Sequence, residues 1–423
     1  MSWLLFSILG GLALFMLLHG LLASGRFYHF PFFAAGIFLS FILPQLPGVI
    51  NNPFLPAGAI DKTLFFAIAC LGACWVGWAV GQRSRGMRDV AFSERRLLHA
   101  AGAMSLIGAY FFYRFSQLPD EERLRGLLTG TAVAYLFFAK LLTYGFAIAL
   151  LCYVRNPSKL ALVIILFGSL FYLDRIVIAG RRGETAEFFL LIGLALWFQR
   201  GWAVPRPAVI GGLALSLAGM LGAGEYRSAT YYTEESEWSS VLDIDLSAKW
   251  QSLIQEGGPE MTNAVMVIDN IERTKALDFG MGHWNSLVFA YVPAQLVGQS
   301  FKEGLMIGGP PYFERGYQPT TGSTWTGLAD AFLSFWYFGF VKFLALGWLM
   351  GWIYTAAIRG NTAMQIVYML SAVPSILAIS HFTNEIVIAW IHLAAFMGPA
   401  LLYARIPHGS RIRAPLHAAR CND

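Results

Sequence analysis

The sequence predicts an all-α polytopic membrane protein. Charged residues make up only 13% of its 423 residues, against 57% hydrophobic. An ordinary soluble domain carries about 25% charged residues. Mean hydropathy is positive, at +0.56. Apolar runs of membrane-spanning length recur along the whole chain. So little charge cannot coat a soluble body of this size, which excludes a soluble enzyme, a disordered chain and a fibrous protein.

Eleven spans are expected, near residues 3–23, 27–46, 63–80, 97–115, 127–153, 160–180, 185–199, 208–224, 332–356, 363–381 and 385–403. The first run is long enough to cross and has no basic start, so it reads as a span and not a cleaved leader. The seventh is short, which predicts a tilted, broken or re-entrant segment. The chain then divides into helices 1–8 (1–224), a large loop (225–327), helices 9–11 (328–404) and a tail (405–423). Within the loop, Leu287 to Val297 is apolar but too short to span. Short helices lying on the membrane surface are expected there.

Charge fixes the expected orientation. The net charge is +5, yet residues 225–325 hold 13 acidic and 6 basic residues, a net of −7 that leaves +12 elsewhere. Arg83, Arg85, Arg88, Arg95 and Arg96 fill one connection; Arg155 and Lys159, Arg200 and Arg206, and tail residues Arg405, Arg411, Arg413 and Arg420 fill others. In an eleven-span chain all of these fall on one side, and the positive-inside tendency makes that side the cytoplasm. The N-terminus and the large loop are then expected outside. Basic residues confined to short connections do not signal nucleic-acid binding.

Cys70, Cys74 and Cys152 lie in apolar runs and Cys421 in the tail, with no disulfide framework or zinc spacing. No H-E-x-x-H, G-x-S-x-G or P-loop occurs. No metal site and no cofactor is expected. Asp243-Ile244-Asp245 is a weak metal-like pair in an acidic loop.

Charges at membrane depth are costly, so each asks for a role. Asp174-Arg175 is followed by Arg181-Arg182-Gly183-Glu184, and this external arginine turn suits a lipid-linked diphosphate. A salt-bridged turn holding two helices is the alternative. Asp330 ends the polar, Gly-rich stretch from Thr320 and could accept a proton from a sugar hydroxyl, or simply favour a helix N-terminus. Arg315 is a second candidate phosphate ligand, or a partner of Glu314. His381 and Glu385, four residues apart, could form an acid–base pair or an ordinary polar turn. Lys140 could meet an anionic substrate, pair with Asp174 or snorkel. His392 reads as a packed helix residue; His283, with Trp284 and Asn285, could stack on a sugar but reads first as a surface-loop residue. Trp238, Trp250, Trp284 and Trp325 could pack on sugar rings, although interfacial tryptophan is common in membrane proteins.

The run Gly180-Arg181-Arg182-Gly183, then Glu187-Phe188-Phe189 opening a new span, resembles a feature of bacterial oligosaccharide repeat-unit polymerases of the Wzy type. A large loop ending in a polar stretch, with Asp330-Ala331-Phe332, Phe338-Gly339 and Gly347 beyond it, adds to the resemblance, which covers roughly residues 170–355. Asp330 stands where the family pattern has Glu, and the family's Tyr and Asn positions are not matched. The resemblance implies a GT-C-like membrane glycosyltransferase in a bacterial inner membrane. It implies joining of undecaprenyl-diphosphate-linked repeat units for O-antigen, capsule or exopolysaccharide, beside flippase and chain-length regulator proteins. Arg175, Arg181, Arg182, Arg315 and Lys140 would bind substrate. Asp330, His381 or Glu385 would do the proton chemistry. A transporter or flippase, a non-catalytic assembly subunit and an O-antigen ligase are the competing readings.

Overall fold

The structure is a computed structural model. It describes residues 1–84, 90–119, 130–230, 238–314, 316–320 and 323–406. Among them the chain is helical, with no strand beyond an isolated antiparallel bridge between Phe92 and Arg405. Arg85, Arg88, Arg315, Arg411, Arg413, Arg420 and Cys421 lie outside the described residues.

Among the described residues, eight helical stretches are long and apolar enough to cross a membrane: α1 (Ser2–Leu22), α2 (Phe30–Asn51), α3 (Ala57–Arg83), α5 (Thr131–Arg155), α6 (Lys159–Ile178), Thr326–Ile358, α16 (Thr362–Ser380) and α17 (Glu385–Ala404). The other three expected spans are also helices. They are α4 (Glu94–Ser116), α7 (Arg182–Arg200) and α8 (Arg206–Thr230). Polar termini lower the apolar content of α4 and α7, and Arg206–Gly222 of α8 is apolar.

Capping residues set several starts. Ser158 accepts a bond from the Ala161 amide (3.2 Å) and Asn361 from the Met364 amide (3.1 Å). The two ends of the bundle differ in character. Arg155 bonds Gln199 and Thr362, Arg200 bonds the Val154 carbonyl, Arg206 bonds the Leu22 carbonyl, and Ile406 bonds the Ala91 carbonyl. The basic connections therefore gather at one end. The large loop and the 381–385 turn sit at the other.

The expected ninth span needs correcting. The stretch Thr326–Ile358 is two helices, α14 (Thr326–Phe335) and α15 (Phe340–Ile358). Trp336 takes φ +54°, and a Cβ on Gly339 would lie 2.1 Å from the Ala331 carbonyl oxygen, so the chain folds sharply back. Residues Thr326 to Ser334 are all buried. The membrane-length helix is α15 alone, 19 residues or roughly 28 Å.

α15 crosses α3 through glycines on both sides. Cβ atoms added at Gly77 and Gly81 would sit 2.1 Å from the carbonyl oxygens of Leu344 and Trp348. Cβ atoms at Gly347 and Gly351 would sit 2.5 and 2.6 Å from those of Cys74 and Trp78. Two four-residue glycine spacings let the backbones approach, which is how helices gain dispersion contact where lipid supplies no hydrophobic drive.

The large loop contains α9 (Leu246–Glu256), α10 (Pro259–Thr274), α11 (Met281–Tyr291), α12 (Ala294–Val297) and α13 (Gln299–Gly304). α10 is not a surface helix. It buries Met261, Val265, Ile268 and Ile271 against the bundle. The Met261 amide donates to the Gln45 side chain (3.1 Å), and Glu272 bonds Lys62 (3.0 Å), Lys275 (3.1 Å) and the Trp336 indole (2.6 Å). Asp245 accepts from the Ser247 and Ala248 amides as the cap of α9.

Candidate functional site

α14 is held at both ends by residues with positive φ, Thr326 (+63°) and Trp336 (+54°). A β-branched residue there is strained, and strain of this kind collects at functional sites. Between these ends lies Asp330, 7% exposed. Its Oδ2 accepts from the Thr383 amide (3.0 Å) and from the Thr383 hydroxyl. Lys342 Nζ lies 3.7 Å away and His283 Nε2 3.6 Å away.

These groups form one network. Lys342, two residues into α15, donates to Ser334 (2.8 Å) and Thr383 (3.2 Å). His283 Nε2 lies 2.8 Å from Thr383 Oγ1. The single Thr383 hydroxyl proton goes to Asp330, and His283 Nε2 lies between Thr383 Oγ1 and the Lys342 ammonium, 3.1 Å from Nζ, which leaves only Nδ1 of the ring outside the network. That Nδ1 is buried without a hydrogen-bond partner. Burial pushes the His283 pKa down, Asp330 pulls it up and Lys342 pushes it down again, leaving it below 6.5.

α11 reaches this position because Asp278 fixes its start. The Asp278 carboxylate accepts from the Gly280 (2.9 Å) and Gly282 (3.1 Å) amides, and its own amide donates to the Leu333 carbonyl on α14 (3.1 Å). The loop and α14 are thus joined where His283 meets Asp330. His283 is not a surface-loop residue.

The turn 380–385 carries this network to two other groups of charges. His381 Nδ1 bonds Ser380 Oγ (2.8 Å). Burial lowers the His381 pKa, and the nearby charge of Arg182 lowers it further. Arg182 is exposed and donates to the Met220 carbonyl (3.4 Å). Beside it, the Ala179 amide donates to the Asp174 carbonyl (3.2 Å), closing a π-helical turn over Asp174–Ile178, and the Arg181 amide donates to the Arg175 carbonyl (3.0 Å). Buried Arg175 pairs with Glu184 (3.3 Å). Arg175 thus anchors the turn, while Arg181 Nε is buried without a partner.

The second group runs deeper. Lys140, at the break between two helical pieces of α5, lies within electrostatic reach of Glu187 and Glu385. Glu187 accepts from Tyr172 (3.1 Å), whose hydroxyl lies 3.2 Å from Thr143. His392 is fully satisfied between Tyr144 (2.7 Å) and the Phe137 carbonyl (3.0 Å), as a packed helix residue should be. No hydrogen bond or ion pair among the described residues joins His381 to Glu385. Of the two alternatives, acid–base pair or polar turn, the contacts place His381 near Arg182 and Glu385 near Lys140.

An aromatic wall completes the site. The Trp325 ring lies 4.9 Å from Phe382, 5.2 Å from Tyr312 and 5.7 Å from Phe313. α10 hangs this wall from two asparagines. Asn263 bonds Ser323, Thr324 and Tyr317, and Asn270 bonds the Pro311 and Tyr312 carbonyls.

Seven buried side-chain polar atoms among the described residues have no hydrogen-bond partner. Four belong to His283, Trp325, Thr326 and Asn384, on or against the 380–385 turn, and a fifth is Arg181 Nε. Orphaned polar atoms are costly unless a ligand completes them. Five of the seven therefore gather around the 380–385 turn and the arginine turn. No group of three His, Cys, Asp or Glu able to hold a metal occurs among the described residues.

Sequence reasoning reaches Asp330, His381, Glu385, Lys140 and the arginines, and misses Lys342 and Thr383. Lys342 has a readable signal, an isolated charge inside an apolar run. Thr383 has none, because its contact with Asp330 spans 53 positions. Compared with protein-family models, with curated proteins and with solved structures, the chain finds no match.

Proposed function

We propose that the protein is a membrane glycosyltransferase that joins lipid-diphosphate-linked oligosaccharide units. The observation that carries this reading is the 380–385 turn. It sets a cationic turn and an Asp–His–Lys–Thr network side by side, at the end of the bundle that bears the large loop. On this reading that end faces the periplasm of a bacterial inner membrane, and the basic end faces the cytoplasm.

The chemistry divides between the two sides. The acceptor hydroxyl oxygen attacks the anomeric carbon of the donor sugar. The C–O bond to the diphosphate breaks and its electron pair leaves with the diphosphate. Arg181 and Arg182 stabilise that leaving charge, with Arg175 and Glu184 fixing their turn. The hydroxyl proton passes to His283, whose ring Asp330 orients through Thr383. Asp330 Oδ2 already accepts two bonds and faces Lys342, which suits it to holding the network more than to taking the proton. Trp325 and its neighbours offer flat faces to sugar rings.

The test is a ladder assay with purified protein and a lipid-diphosphate-linked repeat unit. Wild type should extend the glycan. Arg181→Ala and His283→Gln should lose extension at unchanged folding. If both variants extend like wild type, the reading fails. A second reading, transport of an anionic solute, draws on Lys140, Glu187 and Glu385 at membrane depth. Solute uptake into proteoliposomes that is lost in Lys140→Met and kept in His283→Gln would favour it.

A further inference from the structure

α11 and the segment that follows it are tied together by polar side chains that hold backbone. Trp284 Nε1 donates to the Leu305 carbonyl (2.8 Å). Asn285 Nδ2 donates to the Ile307 carbonyl and its Oδ1 accepts from the Ile307 amide, both at 2.8 Å. Lys302 donates to the Phe289 carbonyl (3.1 Å) and lies 4.6 Å from the centre of the Phe289 ring. Apolar side chains are left outside, Phe289, Leu296, Phe301, Met306 and Ile307 being 50, 84, 57, 41 and 48% exposed, beside the exposed polar Gln295, Gln299, Ser300 and Glu303, of which Gln299 bonds Glu303 (2.7 Å). A contiguous apolar face of this kind marks an interaction site.

Its position says what covers it. The Tyr291 hydroxyl donates to the Ile388 carbonyl, one turn into α17, and the Tyr291 ring packs on Phe137 of α5. Gln295 lies against Gly130, at the start of α5. Val387 and Ile391, on the same stretch of α17, are exposed apolar residues. The hairpin's apolar face therefore continues the apolar belt of the bundle.

We infer that residues Phe289 to Ile307 form a hairpin seated in the lipid leaflet on the loop side of the membrane. The side-chain hydrogen bonds satisfy much of its backbone without water, as lipid requires. Insertion of about 5–10 Å, the depth of an interfacial amphipathic helix, covers the exposed side chains. α11 then bridges lipid and site, with Tyr291 at the membrane end and His283 at the Asp330 end. Where the proposed reaction is granted, this sets the mouth of the site at headgroup level, though the seating itself does not depend on that reading.

The experiment reads the seating and not activity. Full-length protein in lipid nanodiscs carries Cys421→Ser, and the buried Cys70, Cys74 and Cys152 stay unlabelled. Single cysteines for an NBD fluorophore are placed by Leu296→Cys, Phe301→Cys and, as the aqueous control on exposed α9, Ser252→Cys. Labels at 296 and 301 should emit at shorter wavelength than at 252. They should be quenched by phosphatidylcholine bearing a shallow spin label, and several-fold less by iodide than the control. A Leu296→Asp/Phe301→Asp variant with the label placed by Ile307→Cys should gain iodide quenching over the same label without the charges. Iodide quenching at 296 and 301 equal to that at 252 would overturn the inference. So would shielding from both quenchers, which would mean that protein covers the face.

Discussion

Two regions at helix crossings handle polar groups in opposite ways. Where α3 meets α15, glycines bring the backbones together, and the facing carbonyls belong to peptide groups of two regular helices. Where α14, α11 and the 380–385 turn meet, side chains supply the polarity, and several of their buried atoms have no partner. The first region is complete without a ligand. The second is stable only because Lys342, His283 and Thr383 surround one carboxylate, and it still leaves donors and acceptors open. Regions of the first kind hold a fold, and regions of the second kind use it.

The largest test of this contrast is Gly81→Leu. A Cβ there would sit 2.1 Å from the Trp348 carbonyl oxygen, and overpacking of this kind costs at least about 1–3 kcal/mol. The variant should yield little folded protein or a sharply lower Tm in detergent. Gly183→Ala, with open space at the arginine turn, should melt like wild type. A Gly81→Leu protein as stable as wild type would break the comparison.

Lys342→Met comes next. It leaves the buried Asp330 carboxylate short of its counter-charge, a change of about 3–5 kcal/mol for a buried pair. The double variant Lys342→Met/Asp330→Asn should recover much of the lost Tm, because the uncompensated charge is gone. No recovery would mean that the two residues do not face each other energetically.

A smaller effect is the acid response of His283. Its folded pKa lies below 6.5, so the unfolded chain binds the proton more readily and stability falls as pH drops through 6.5 toward the folded value. His283→Gln should flatten part of the Tm slope in that window. An unchanged slope would assign the acid response elsewhere, His381 being the next group. The smallest is Glu272→Gln. Burial works against its charge, but bonds from Trp336, Lys62 and Lys275 outweigh it and hold the carboxyl at about 2. Its lysine partners are largely exposed, so the loss should be about 1 kcal/mol. It should vanish as pH falls from 4.5 toward 2, where wild type also loses the ionised clamp.

Much of this fold is legible in the residues. Apolar runs of spanning length give the class and place the helices, because lipid leaves a spanning backbone few alternatives. The break between α14 and α15 is not legible. The apolar run passes through Trp336 without a proline, and the reversal rests on a strained φ that composition does not encode. The loop is half legible: the apolar stretch from Leu287 does form short helices with an exposed apolar face, while α10 belongs to the core. In the site, isolated charges in apolar surroundings point to Asp330, Lys140 and the arginines. The partners of Asp330 arrive from α11, α15 and the 380–385 turn, which only tertiary packing brings together. The four-residue glycine spacings at 77 and 81 and at 347 and 351 are a readable packing signal that charge alone does not reveal.

The central claim is that one turn joins a diphosphate side to a proton-transfer side. Its most direct measurement is binding of a polyprenyl diphosphate to the purified protein by native mass spectrometry, set beside chain extension for the same variants. The account predicts that Arg181→Ala loses lipid binding and extension together, whereas His283→Gln keeps binding and loses extension. Equal lipid binding by wild type and Arg181→Ala, or full extension by His283→Gln, would contradict it.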